Sequence, residues 1–461
     1  MPLSKMLLAA ATSSLLLFSC GNPTSSTTKE EKPSTDTVLL TDGHPAWIEQ
    51  GNIYEVNVRQ YTPEGTFRAF EKHLDRLKEM GVQTLWFMPI QPISKLDRKG
   101  ELGSYYAVAN YTAINPEFGN LEDWKSLVKS AQTKGFKVII DWVANHTGAD
   151  HSWLTTNKDF YVRDSVSGEA KFAFDWSDTR DLNFDTPLLT DSMIASMKYW
   201  LTETGIDGFR CDVAGEVPDA FWKKCIEELR KTKPGVFMLA EGDKPSLHED
   251  GFDASYPWEM FSITKEIAAG KKNATYIDTV LKKIDESYPA NAIKMWFTSN
   301  HDENSWNKAD YGTMPGSVHA PFAVLSQTLV RGVPLIYSGQ EAPFLDSISF
   351  FYKDTIDFGN FARASFYSTL LNLRKNNAAL AANASFKKVD AGSPKQLYAF
   401  VRENEGKKVL VILNLSNKEA TVKLTDNSLK GQPYNVFLMN NEDPTVEPWR
   451  LEPWGYVIYE Y

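Results

Sequence analysis

PLLTDSMIASMKYWLTETGIDGFRCDV, residues 187–213, is the stretch on which the fold turns. It reads as a helix through Thr204, then Gly205, then a near-continuous apolar run from Ile206 to Val213. A glycine suits the junction because helices often end in a left-handed residue. An apolar run without alternation suits a strand buried on both faces. The same phrase recurs on either side. Residues 66–80 place Phe67, Phe70, Leu74 and Leu77 at helical spacing, before Gly81 and a strand over 82–89. Helix, glycine and strand follow again at 121–134, Gly135 and 136–143. They return at 221–233, Gly235 and 236–241, and at 321–331, Gly332 and 333–337. Strands at 53–58, 251–256 and 293–299 bring the count to eight, the signature of a (β/α)8 TIM barrel of the α/β class. A doubly wound sheet is the alternative.

The ends of the chain read differently. An apolar run from Met6 to Phe18 follows Lys5 and precedes Cys20. It is too short to span a bilayer and has signal-peptide proportions. Leu17-Phe18-Ser19-Cys20 resembles a bacterial lipobox, which implies lipidation of Cys20 and a lipid-anchored place in the cell envelope, periplasmic or on the outer surface. Residues 21–44, rich in Ser, Thr, Lys, Glu and Pro, read as a flexible linker. The barrel is expected over 45–385. A short subdomain is inserted after the third strand at about 147–185, where no clear helix is legible. Short alternating runs over 386–461 predict a C-terminal antiparallel β-sandwich.

Composition bounds the partners. The 461 residues are 42% hydrophobic and 23% charged, as in an ordinary globular protein. A net charge of -10 argues against nucleic acid. Aromatics reach 13%, with 13 Trp, which suits stacking on sugar rings and equally suits a large core. Cys211 and Cys225 are too few for a disulfide framework. No His/Cys cluster suggests zinc and no glycine-rich loop suggests phosphate binding.

Reactive residues of such a barrel lie at the C-terminal ends of its strands. Four strand ends present carboxylates: DWVANHT from Asp141, IDGFRCDVA from Ile206, LAEGD from Leu239 and FTSNHDEN from Phe297. Arg210 and Asp212, two apart on one strand, share a face. A guanidinium there would lower the carboxyl's pKa and keep Asp212 ionised, as a nucleophile requires. Glu241 ends the next strand, where a proton kept by burial or by a second negative group would serve for donation. A structural salt bridge and an idle rim carboxylate are the plainer readings of the two.

From residue 45 to the end the chain resembles the α-amylase family, glycoside hydrolase family 13, whose four short regions are matched in order. Further likenesses are IYEVNVRQYTPEGTF from Ile53, GSYYAVANYTAINPEFG from Gly103, Asp181-Leu182-Asn183, the stretch from Tyr337 to Glu341 and LEPWGYVIYEY at the C-terminus. Asn110 departs from the aspartate of many relatives. The resemblance implies a retaining enzyme with Asp212 as nucleophile, Glu241 as acid/base and Asp302 as the third carboxylate. It implies that Arg210 orients Asp212 and that Tyr106 stacks on the sugar. His146 and His301 would bond the sugar before the scissile bond, with Asp141 supporting that wall. Asn145 matches a position that often ligates structural Ca²⁺. The Lys-His pair common after the nucleophile is replaced here by Ala214-Gly215-Glu216. No cofactor is expected to be required. The implied reaction is hydrolysis of mainly α-1,4 bonds in starch-like glucans or maltooligosaccharides. Val213 opens an α-1,6 alternative, and the short insertion one of pullulan or cyclodextrin degradation. Transglycosylation stays open as well, and so does glucan binding without catalysis.

Overall fold

In the computed structural model the described residues are 40–342, 346–426 and 429–461. The leader, Cys20 and the linker up to residue 39 lie outside them. The linker expected to run to residue 44 already has structure at its end. Leu40–Thr41 pairs with His44–Pro45, and His44 is buried against Asp253 at 2.9 Å.

Eight parallel strands close into one barrel in sequence order. They are β1 (Ile53–Val56), β2 (Thr84–Phe87), β3 (Lys137–Val143), β4 (Gly208–Asp212), β5 (Phe237–Ala240), β6 (Ala254–Ser255), β7 (Ile293–Trp296) and β8 (Gly332–Tyr337). Alternation sets the two faces. Ile53, Trp86, Ile139, Leu239, Met295 and Leu335 fill the barrel interior. Tyr54, Leu85, Val138, Phe209, Met238 and Ile336 face outward into the layer packed by the helices. The helices bring apolar stripes to that layer, as in Asp219–Thr232, which buries Phe221, Trp222, Cys225, Ile226 and Leu229.

The stretch over 187–213 folds as its pattern predicts. Its helix is Pro187–Thr204, with proline in the first turn and Gly205 left-handed at φ 70°. Gly208 is required by close approach: a Cβ there would lie 2.1 Å from the carbonyl oxygen of Phe237. The single helix expected over 66–80 is two, Phe67–Glu71 and Leu74–Met80, separated by a tight turn in which His73 N–H donates to Phe70 O.

The inserted subdomain is closed by an antiparallel pair, His146–Gly148 with Thr179–Asp181. It contains a one-turn α-helix, Trp153–Thr156, and a 3-10 turn, Lys158–Phe160, both too brief to show periodicity in sequence. The C-terminal strands start at Ser385 and form a five-stranded antiparallel sheet that faces the two-stranded pair Ala420–Val422 and Trp449–Leu451. Leu397, Ala399, Leu410 and Ile412 pack toward Ala420, Val422 and Leu451. The opposite face, with Tyr398, Phe400, Val409 and Val411, packs on the barrel's last helices. Buried Arg402 adds hydrogen bonds to the carbonyls of Thr328 and Ala381. Among the described residues no helix is long and apolar enough to cross a membrane.

Candidate active site

The parallel register brings the strand ends together. Asp141 on β3 stands beside Arg210 on β4, and Val143 beside Asp212. Cys211 on β4 stands beside Ala240 on β5, so Glu241 leaves the barrel next to Asp212. Arg210 is fully buried and serves three carboxylates. Its Nη1 donates to Asp141 Oδ1 at 3.0 Å and to Asp212 Oδ1 at 3.2 Å, while Nη2 lies 2.9 Å from Glu241 Oε2. Its Nε donates to the Tyr256 hydroxyl at 3.2 Å, and its charge lies over the Trp86 and Tyr256 rings.

This division of one cation corrects the expectation for Asp212. Burial, reinforced by the Glu241 charge, pushes its carboxyl well above the usual range, and a guanidinium shared three ways does not reverse that. Asp212 lines the cleft; its Oδ1 is held by Arg210, whereas its Oδ2 is buried without a hydrogen-bond partner. Glu241 Oε2 also accepts the Val213 N–H at 2.8 Å. Val213 adopts φ 36°, ψ 42°, a left-handed conformation strained for a β-branched residue. That strain aims a backbone donor at the carboxylate.

Asp302 lies in the first turn of the helix His301–Asn307, capped by the Asn300 side chain on Glu303 N–H at 2.8 Å. His301 Nδ1 meets Glu55 Oε1 at 2.5 Å and its Nε2 meets Asp302 Oδ2 at 3.3 Å. Burial alone would favour neutral imidazole. The Asp302 and Glu55 carboxylates outweigh it and hold His301 protonated well above its ordinary range. Burial likewise opposes the charge of Asp302, and the His301 imidazolium overcomes it, keeping this carboxyl below its usual value. The Tyr106 hydroxyl lies 2.7 Å from His301 Nε2 and donates to Asp141 Oδ2 at 3.0 Å. Glu55, His301, Tyr106, Asp141, Arg210 and Asp212 thus form one continuous polar chain. His146 is different: burial lowers it to about 3, so it is neutral, and its Nε2 has no partner.

The cleft above this chain has a volume of about 430 Å³. Tyr106, His146, Asp212, Glu241 and Asp302 line it, as the sequence leads one to expect. Arg210, Asp141 and His301 lie beneath the lining, all but inaccessible at 0%, 0% and 1% exposure. They support the wall, and His301 Nε2 is engaged there by Asp302 and the Tyr106 hydroxyl. Sequence reading missed Glu55, although a lone carboxylate inside the apolar run IYEV was a visible signal. It also missed Trp176, Lys99 and Asp178 on one rim and Trp306, Phe350 and Phe351 on another. All but Trp306, which sits on the short helix His301–Asn307, stand on irregular segments, where no periodicity singles them out.

Asn145 is the candidate calcium ligand. Its Nδ2 lies 3.4 Å from His146 Nδ1 and its carbonyl accepts the Leu182 N–H at 3.1 Å. Asp181, Asp185 and Glu216 border the same surface hollow. Among the described residues, however, no three His, Cys, Asp or Glu side chains converge as ligands.

Known proteins resemble this chain over most of its length. The family model described as alpha amylase, catalytic domain, matches residues 32–169 and 164–390, and that of the alpha-amylase SusG C-terminal domain matches 397–456. Alpha-amylase MalA of Haloarcula japonica is 25% identical over 401 residues, covering 82% of this chain and 57% of its own length. The cyclomaltodextrinase of a Bacillus species is 27% identical over 429 residues, covering 80% and 73%. Neopullulanase 2 of Thermoactinomyces vulgaris is 28% identical over 399 residues, covering 78% and 64%. The chain therefore spans less than two thirds of some of these relatives. The crystal structure of an alpha-amylase from Lactobacillus plantarum superposes with a TM-score of 0.80 at 27% identity, covering 90% of this chain and 99% of that one.

Proposed function

The chain belongs to the alpha-amylase catalytic-domain family, and on that premise we propose that it is a retaining glycosidase cleaving α-glucosidic bonds, mainly α-1,4, in starch-like glucans or maltooligosaccharides. The observation that carries this reading is the pairing of Asp212 and Glu241, two carboxylates that line one cleft and share the buried guanidinium of Arg210.

In this reading the unpartnered oxygen of Asp212 attacks the anomeric carbon while Glu241 protonates the departing glycosidic oxygen. To do so Glu241 turns away from Arg210 and the Val213 N–H, which it contacts in the free enzyme. That movement leaves the guanidinium to Asp141 and Asp212, so the nucleophile is ionised when it is needed. Water, deprotonated by Glu241, then opens the glycosyl ester with overall retention. Asp302, kept ionised by His301, accepts bonds from the sugar's hydroxyls, and neutral His146 offers Nε2 to the same ring. Both steps run on side chains, and no cofactor is proposed.

A second reading, α-1,6 cleavage or the degradation of pullulan and cyclodextrins, is favoured by the valine that follows Asp212, a residue the resemblance links to α-1,6 preference, and by the names of the cyclomaltodextrinase and neopullulanase relatives. Interception of the ester by a sugar would make the enzyme a transglycosylase. We further propose that Cys20 is lipidated and anchors the enzyme in the cell envelope, which globomycin-sensitive processing in cells would test.

The decisive assay is release of reducing sugar from starch, pullulan, cyclodextrin and isomaltose by wild type and Asp212→Asn. Starch turnover lost in the variant supports the assignment. Turnover unchanged by the substitution refutes it.

A further inference from the structure

The retaining chemistry fixes the direction of the cleft. The sugar that bonds to Asp212 is the one whose anomeric carbon is attacked, so the chain beyond its O4 runs toward the non-reducing end. The leaving sugar lies on the Glu241 side. Walls that extend from Tyr106, His146 and Asp302 away from Glu241 therefore face the non-reducing arm.

On that side the cleft is strapped. Lys99 comes from the loop after β2 that also carries Tyr106, and Asp178 immediately precedes the strand Thr179–Asp181 that pairs with His146. Lys99 Nζ meets Asp178 Oδ1 at 3.0 Å, and both residues line the cleft. A second bridge from the same loop to the same subdomain, Asp97 to Arg180 at 2.6 Å, lies outside it. The far side of the loop is pinned too. Leu102 N–H donates to Phe351 O at 2.9 Å, and Arg59 donates to the carbonyls of Gly103 and Phe350. The loop thus runs from the inserted subdomain to the segment after β8 without a gap in its anchoring. Trp306 continues the wall, packed on Phe350 and Phe351 at 5.3 and 5.7 Å.

We propose, resting on the glycosidase reading above, that the Lys99–Asp178 ion pair is an end stop that closes the non-reducing arm of the cleft, so that the enzyme removes short units from chain ends. The pair suits a terminal sugar. Asp178 is buried, with a side chain 3% exposed, and accepts from a hydroxyl, while Lys99, 35% exposed, donates to another. An interior segment of glucan, which must continue through this wall, has no path. Release of a short, uniform product follows.

The test compares maltoheptaose with the same oligosaccharide capped by an ethylidene acetal on its non-reducing terminal glucose, using the full-length enzyme. Wild type should turn over the capped sugar roughly tenfold more slowly or worse, the scale on which a shaped pocket rejects small added groups. Lys99→Ala, a change at a half-exposed side chain, should narrow that gap several-fold and broaden the product lengths, and Lys99→Arg should restore both. Equal wild-type rates on the two sugars would overturn the end stop and leave the glycosidase reading intact. So would a gap untouched in Lys99→Ala. Turnover of neither sugar would overturn the glycosidase reading and the end stop with it.

Discussion

Arg210 is the point at which a single substitution bears on the whole site. Arg210→Met keeps a long apolar stem and removes the charge that lies 3.0 Å from Asp141, 3.2 Å from Asp212 and 2.9 Å from Glu241. One opposite charge at such range lowers a carboxyl by about 1–3 pK units. At about 1.4 kcal/mol per unit that is about 1.4–4 kcal/mol, comparable to the Coulomb energy of about 4 kcal/mol at 4 Å and an effective dielectric of 20. Asp212 is already raised by burial and by Glu241, so losing its cation raises it further. The sign is fixed. The nucleophile must be ionised, so the acid limb of kcat/KM moves to higher pH by about 1–3 units, and activity below that limb falls about tenfold for each unit. Leaving buried carboxylates without their partner should also lower stability by about 3–5 kcal/mol. Arg210→Lys keeps the charge without the fork and should shift the limb less. Activity on maltoheptaose followed from about pH 4 to pH 9, with urea unfolding alongside, reads both effects. A folded Arg210→Met enzyme with a wild-type acid limb would refute the idea that Arg210 controls the ionisation of Asp212.

Glu55→Gln removes one of the two carboxylates that hold the proton on His301, so His301 should titrate lower by about 1–3 units; an imidazole NMR titration of His301 that is unchanged in the variant would contradict this. His151 is buried 5.2 Å from the Tyr111 ring, and burial lowers it to about 4. Its unfolded form, near pK 6.5, takes up a proton first, so stability present above that value is lost as the pH falls, by about 2 kcal/mol between pH 7 and pH 5. His151→Gln should flatten the pH dependence of unfolding by that amount, and an unaltered slope would count against it.

The barrel was legible because several of its units repeat one physical pattern, a helix, a glycine that is left-handed at Gly81, Gly135 and Gly205, and a strand buried on both faces. Pro187–Thr204 and Gly205 show it most clearly. The acidic strand ends were legible for the same reason, since Asp141, Asp212 and Glu241 interrupt apolar runs that the sheet itself requires to be apolar. What the sequence hid depends on distance rather than on pattern. Spacing in the chain ties Arg210 to Asp212, its neighbour at two residues, but the guanidinium also serves Asp141, 69 residues away, and Glu241 on the next strand. Glu55 reaches His301 across 246 residues. Lys99 and Asp178 lie on irregular segments, and only folding shows that they face one another.

The central claim is that Asp212 forms the glycosyl ester. An activated fluoro-sugar that reacts in the first step and stalls in the second would accumulate that ester, and mass spectrometry of the digested protein would locate it. The expected result is a single glycosylated peptide bearing Asp212, absent in Asp212→Asn. A label on Glu241 or Asp302, or turnover of the reagent with inverted configuration and no label, would contradict the account.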